Sequence, residues 1–201
     1  AFYSNPAVVC LAVTALWILL CSLAPQGCPV LSLANLFDRV IQHSARMHGL
    51  SSDLRQDFVS VWAPSRNHIG RVSRYCHTSS ILTPNDKENA QRMTEELTEV
   101  ILKLLVAWRE PLWADKALQV GRMVHELRTG VQRVAQKMQM LGMMGNAVSG
   151  LWSPDAQAPP DDGSHWNFGN YDLLRCFRRD SNKVQNYLKI LKCRTVPEYG
   201  C

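Results

Sequence analysis

Residues 176–193 read CFRRDSNKVQNYLKILKC, a segment with a cysteine at each end and apolar positions at helical intervals. Leu173, Phe177, Asp180, Val184, Leu188 and Leu191 follow one another at steps of three and four, which stacks them along one side of a helix. Asp180 is the polar member of that set, and the side as a whole belongs in a core. The opposite side carries Arg175, Arg178, Arg179, Asn182, Lys183, Asn186, Lys189 and Lys192. It is a strongly basic face, presented to something outside the core.

Outside this segment the sequence carries three further helical patterns and few convincing strands. The first runs from about Ser32 to Phe58 through Leu33, Leu36, Val40, Met47, Leu50, Leu54 and Phe58, with Gly49 weakening it by about 1 kcal/mol relative to Ala. The second opens at Thr83-Pro84-Asn85-Asp86, read as a Thr83 N-cap, Pro84 at the first helical position and Asp86 reaching back as in a capping box. It continues through Met93, Leu97, Val100, Ile101, Leu104, Leu105 and Trp108 until Pro111 ends it. The third spans about Trp113 to Met144, with Leu118, Val120, Val124, Leu127, Val131, Val134, Met138 and Leu141. The fourth, which contains the opening segment, spans about Asn170 to Arg194.

The connections set the topology. About 25 residues separate the first pair and the last pair, with Pro64, Gly70 and Pro84 in one link and Pro154, Pro159, Pro160 and Gly163 in the other. Only a few residues around Glu110-Pro111 join the middle pair. A helix of about 26 residues is near 39 Å long; a 25-residue link can run that length, whereas a short link joins antiparallel neighbours. Long, short, long therefore predicts an all-α, up-up-down-down long-chain four-helix bundle with two long crossover loops. An up-down bundle with floppy loops is the competing arrangement.

The 201 residues, 46% hydrophobic and 19% charged, suit a single well-buried domain. Ala7 to Ala24 contains no charged residue and is followed by Pro25, Gln26 and Gly27, which fits the apolar region of a secretory signal peptide better than a membrane span, because no basic flank follows. Residues 1–28 are therefore expected to be a leader whose precursor begins upstream of Ala1, and 29–201 the bundle domain. Cleavage is placed between Ser22 and Pro29. Four cysteines then remain with certainty: Cys76, Cys176, Cys193 and Cys201. Such a secreted chain suggests two disulfides with three possible pairings. The segment between Cys193 and Cys201 contains Pro197 and Gly200 and can fold back, so pairing these two is economical and leaves Cys76 for Cys176. The alternative, a structural zinc site, lacks C-x-x-C spacing.

Two segments carry a family resemblance. CHTSSILTPNDKE from Cys76 and the opening segment from Cys176 closely resemble the signature segments of the growth hormone and prolactin family, the first of them the prolactin branch. LFDRV from Leu36, LSSDL from Leu50 and WREPL from Trp108 are similar to segments of that branch in the same order. Once Cys10 and Cys21 leave with the apolar segment, only Cys28 stands upstream of Cys76, and in this the chain looks more like fish members than mammalian ones. The resemblance implies a secreted, monomeric hormone that brings together two chains of a prolactin-type cytokine receptor. It implies a first receptor site on the first and fourth helices with the loop after the first, here His48, Arg179, Lys183, Tyr187 and Lys189. Tyr187 is the expected anchor. It implies a second site on the first and third helices, with Gly130 as the glycine whose missing side chain leaves a cleft. Members often carry histidines where this chain has Asn182 and Ala45. That departure predicts a weaker pH or zinc dependence of receptor binding.

Other function classes find little here. A formal net charge of +5 without aromatics interleaved in a basic strip gives no nucleic-acid signal. His43, His48, His68, His77, His125 and His165 form no HExxH pattern, and neither Gly-x-Ser-x-Gly nor a phosphate-cradling loop occurs. No enzyme, metal site or cofactor is expected, nor stable membrane insertion after processing. Met138, Met140, Met143 and Met144 read as adaptable packing at a helix end. Two alternatives remain: a growth hormone- or somatolactin-like ligand of a related receptor, and a membrane-anchored helical interaction protein that retains Ala7 to Ala24.

Overall fold

The computed structural model describes residues 31–62, 75–84, 86–109, 115–145, 170–196 and 198. The chain divides into two units, Ala1–Leu31 and Ser32–Cys201. The expected leader and its cleavage site lie outside the described residues, as do Pro111, Trp113 and Cys201. Among the described residues there are five α-helices and no strand. They are α1 (Leu33–Trp62), α2 (Lys87–Arg92), α3 (Thr94–Ala107), α4 (Asp115–Met140) and α5 (Asn170–Thr195), with a 3₁₀ turn at His77–Ser80.

Interhelical contacts fix the directions. Asp38 meets Lys192, His48 meets Ser181 and Ser52 meets Arg178, so α1 and α5 are antiparallel. Val40 faces Gly130 and His43 reaches Met123, so α1 and α4 are antiparallel too. Glu95, in the first turn of α3, accepts from the Gly145 amide just past the end of α4, which makes that pair antiparallel as well. Hence α3 runs with α1 and α4 with α5, the up-up-down-down order. The shared core includes Phe37, Met47, Leu97, Ile101, Leu104, Leu127, Val134, Met138, Phe177, Leu188 and Leu191.

Several sequence-based boundaries shift for identifiable reasons. Asp86, not Thr83, caps the second helical region: its Oδ1 accepts from the Asn89 amide at 2.7 Å. Pro84 lies before the helix, and the Thr83 hydroxyl is engaged with α5, as described below. What reads as one helix is divided at Met93, whose backbone (φ −112°, ψ 74°) leaves helical geometry between α2 and α3. The side chain of Met93 is exposed rather than core. The next helix stops at Met140 instead of Met144. Gly142 adopts φ +69°, and the Gly142 and Met143 amides bond back to the Gln139 and Met138 carbonyls. Those are the two bonds of a Schellman C-cap, and glycine enters the left-handed region without a Cβ penalty. Leu141, expected inside, is half exposed beyond that stop.

Candidate functional site

Beneath the basic surface of α5, on the core-facing side of the helix, lies the Asp180 carboxylate, which is 1% exposed. Burying a charge without partners costs several kcal/mol, so its donors decide whether the arrangement is tenable. Trp108 Nε1 donates to Oδ2 at 2.9 Å, and the Thr78 hydroxyl donates to the same oxygen at 2.5 Å. The Arg179 guanidinium binds Oδ1 at 2.8 Å and donates through Nη2 to the Thr78 oxygen at 2.7 Å. The Arg179 charge and these donors offset the desolvation. They also tie the 3₁₀ turn to α5 beside the Cys76–Cys176 disulfide, whose Cα atoms are 5.6 Å apart. His77 completes the cluster: its ring stacks edge-on against Trp108 at 4.4 Å, and Nε2 donates to the Ala107 carbonyl at 3.3 Å. Burial pushes the His77 pKa down.

One turn further along α5, Lys183 Nζ donates to Thr83 Oγ1 at 3.0 Å. Its pKa is lowered first by burial and then by the nearby Arg179 charge, with Asp180 opposing. Tyr187 also hydrogen-bonds Thr83, and burial raises its pKa. Segment 81–84 is therefore stitched onto the α5 face. On the α1 side, His48 Nδ1 lies 3.0 Å from Ser181 Oγ, which also meets Ser51 Oγ at 3.2 Å. Burial lowers the His48 pKa, and Arg178 lowers it further.

The residues assigned to the first site thus gather on one surface, yet they differ in access. Lys189 and Arg178 are exposed; His48, Arg179 and Lys183 are half-buried and engaged within the molecule; Tyr187 is only 8% exposed. Lys192 does not belong to the basic surface. It is 9% exposed and donates to Asp38 Oδ1 at 2.6 Å. Thr78, Thr83, Ser51 and Ser181 escape sequence reasoning. The polar Asp180 inside an apolar stripe is the signal that buried donors must exist nearby.

Gly130 lies elsewhere, in a groove of about 260 Å³ between α1 and α4 lined by Arg39, Val40, His43, Arg46, Glu126 and Gly130 among others. An added Cβ at Gly130 would stand 2.7 Å from Val40 Cγ1. The helices touch there because the glycine has no side chain.

Four walls in up-up-down-down order, a disulfide from the first crossover to the last helix and a close helix approach at a glycine that lines a groove form a specific combination. The model of the Somatotropin hormone family matches residues 15–201. The chain belongs to the somatotropin hormone family. Members of this family are hormones that act as signalling ligands rather than catalysts. No group of His, Cys, Asp or Glu suited to holding a metal occurs among this somatotropin-family chain's described residues. No described helix is long and apolar enough to cross a membrane. Cys193 is also disulfide-bonded, and Cys201, its expected partner, lies outside the described residues.

Proposed function

We propose that this somatotropin-family hormone is a secreted ligand of the prolactin branch that pairs two chains of a class I cytokine receptor. The observation carrying the proposal is the groove in which α1 and α4 approach at Gly130, on a different part of the bundle from the α5 surface. Two separate surfaces give a monomeric ligand a route to holding two receptor chains. The segment CHTSSILTPNDKE favours the prolactin branch over the growth hormone and somatolactin branches.

In this reading the first chain docks on α5 and segment 81–84. Lys189 contacts the receptor directly, while His48, Arg179, Lys183 and Tyr187 shape the surface from beneath. The second chain enters at Gly130. Cys193 pairs with Cys201 to tie down the tail, and residues 1–28 are removed on secretion.

The test is a signalling assay on cells bearing either the prolactin or the growth hormone receptor, with wild-type hormone and Gly130→Arg. Wild-type activity is expected on the prolactin receptor, with the variant binding a single receptor ectodomain but failing to signal. Activity confined to growth hormone receptor cells overturns the branch assignment, and full signalling by Gly130→Arg overturns receptor pairing through the groove. N-terminal sequencing of the secreted product reads the cleavage site, and retention of Ala7 to Ala24 would sink the leader assignment.

A further inference from the structure

The groove holds a polar tie that receptor pairing as described above does not use. His43 projects from α1 and places Nε2 2.9 Å from the backbone carbonyl of Met123, in the N-terminal half of α4. Arg46 Nη2 approaches the other ring nitrogen, Nδ1, at 3.3 Å. A guanidinium only donates, so Nδ1 is the acceptor and Nε2 carries the proton given to Met123. A carbonyl has two lone pairs, and one turn of helix uses the first. Met123 therefore accepts His43 without breaking its own helix. Glu126 Oε2 stands 3.8 Å from Nε2 and Arg39 lines the same groove, so the ring sits among both signs of charge.

The position of this tie matters more than its strength. Val40 meets Gly130 on one side, and His43, one turn further along α1, meets Met123 two turns back along α4. The Val40 contact is a steric fit into the notch that Gly130 leaves. The hydrogen bond adds a directional constraint to it, because a shift of α1 along α4 leaves a partly buried imidazole and a backbone carbonyl mismatched. We propose that His43 is a positioning residue: it locks the register and spacing of α1 against α4, and with them the shape of the groove at Gly130. This rests on the reading that the second receptor chain enters that groove.

The experiment measures recruitment of a second receptor ectodomain to full-length hormone already saturated with the first, using wild-type, His43→Leu, His43→Asn, His43→Gln and Gly130→Arg proteins. Leucine removes the donor, asparagine is polar but too short to span the helices, and glutamine reaches with an N–H. Expected are wild-type binding of the first ectodomain within twofold for all four variants, at least tenfold weaker recruitment of the second for His43→Leu and His43→Asn, and recovery to within threefold of wild type for His43→Gln. Should the leucine variant not fold, the asparagine and glutamine pair carries the comparison.

Wild-type recruitment by His43→Asn overturns the inference. So does a glutamine variant as weak as the asparagine one, because the imidazole would then be a receptor contact itself. Gly130→Arg separates the levels: if it recruits normally, the pairing reading falls and this inference with it, whereas its failure beside a normal His43→Asn overturns the positioning role alone.

Discussion

A methyl group placed on Gly130 would stand 2.7 Å from Val40 Cγ1, closer than two carbon atoms approach without displacement. Val40 is 5% exposed, so it has little room to yield. Replacing an interior helix glycine by alanine gains about 1 kcal/mol of helix propensity, while overpacking costs roughly 1–3 kcal/mol. Gly130→Ala is therefore expected to destabilise the hormone by about 1 kcal/mol in urea unfolding. In the Val40→Ala background the clash disappears and the same change should become neutral or stabilising. Additive effects of the two substitutions would refute the close-approach account.

The Asp180 carboxylate yields a second expectation. Asp180→Ala removes the acceptor of Trp108 Nε1 and Thr78 Oγ1 and the partner of Arg179. Breaking a buried pair by removing a partner costs about 3–5 kcal/mol. Asp180→Asn keeps the shape and one acceptor oxygen, and should cost less, roughly 1–3 kcal/mol. Denaturant midpoints of the two variants check the ranking, and an alanine variant as stable as wild type would show that the network adds nothing.

Much of the bundle is legible in the sequence because burial repeats every three or four residues. Leu173, Phe177, Val184, Leu188 and Leu191 all point inward as their spacing predicts. What is not legible depends on partners distant in the chain. Thr83 and Asp86 are both plausible caps locally; Lys183 and Tyr187, about a hundred residues later, engage the first and leave the helix start to the second. Lys192 reads as surface until Asp38, from the other end of the chain, covers its charge. Tyr187 borders both the apolar and the basic stripes of α5, so spacing alone does not decide its burial. The stop at Gly142 was readable as glycine after a helical run, but the apolar residues beyond it extend the pattern past the true end.

Removal of the Cys76–Cys176 disulfide should lower stability without undoing the local arrangement. The bond spans a sequence separation of 100 residues. In the chain-entropy model such a loop contributes about 4.7 kcal/mol by restricting the unfolded chain. For a domain of this size that corresponds to roughly 9–19 °C in melting temperature. The Asp180 ties to Thr78 and Trp108 stay in place, so the Trp108 indole N–H should remain protected from exchange in a Cys76→Ala/Cys176→Ala variant at low temperature. Rapid exchange of that proton would mean that the disulfide alone holds the turn.

His77 sets an acid limit on the same turn. Its Nε2 is given to the Ala107 carbonyl, and its buried Nδ1 has no hydrogen-bond partner among the described residues. Protonation would add a buried N–H without an acceptor and a charge near Arg179; Asp180 opposes this only in part, since burial dominates and the pKa falls below its usual 6.5. A histidine depressed in the folded state binds its proton more readily when unfolded, so stability rises with pH across that interval. The penalty is absent above pH 6.5, develops as the pH falls through that value and is complete below the folded-state pKa. His48 is depressed in the same direction and adds to the trend. His77→Gln should accordingly lose less stability than wild type between pH 7.5 and pH 5.5, read as the shift in urea midpoint. The double variant with His48→Gln should flatten the profile further. An unchanged pH profile in both would place the acid sensitivity elsewhere in the bundle.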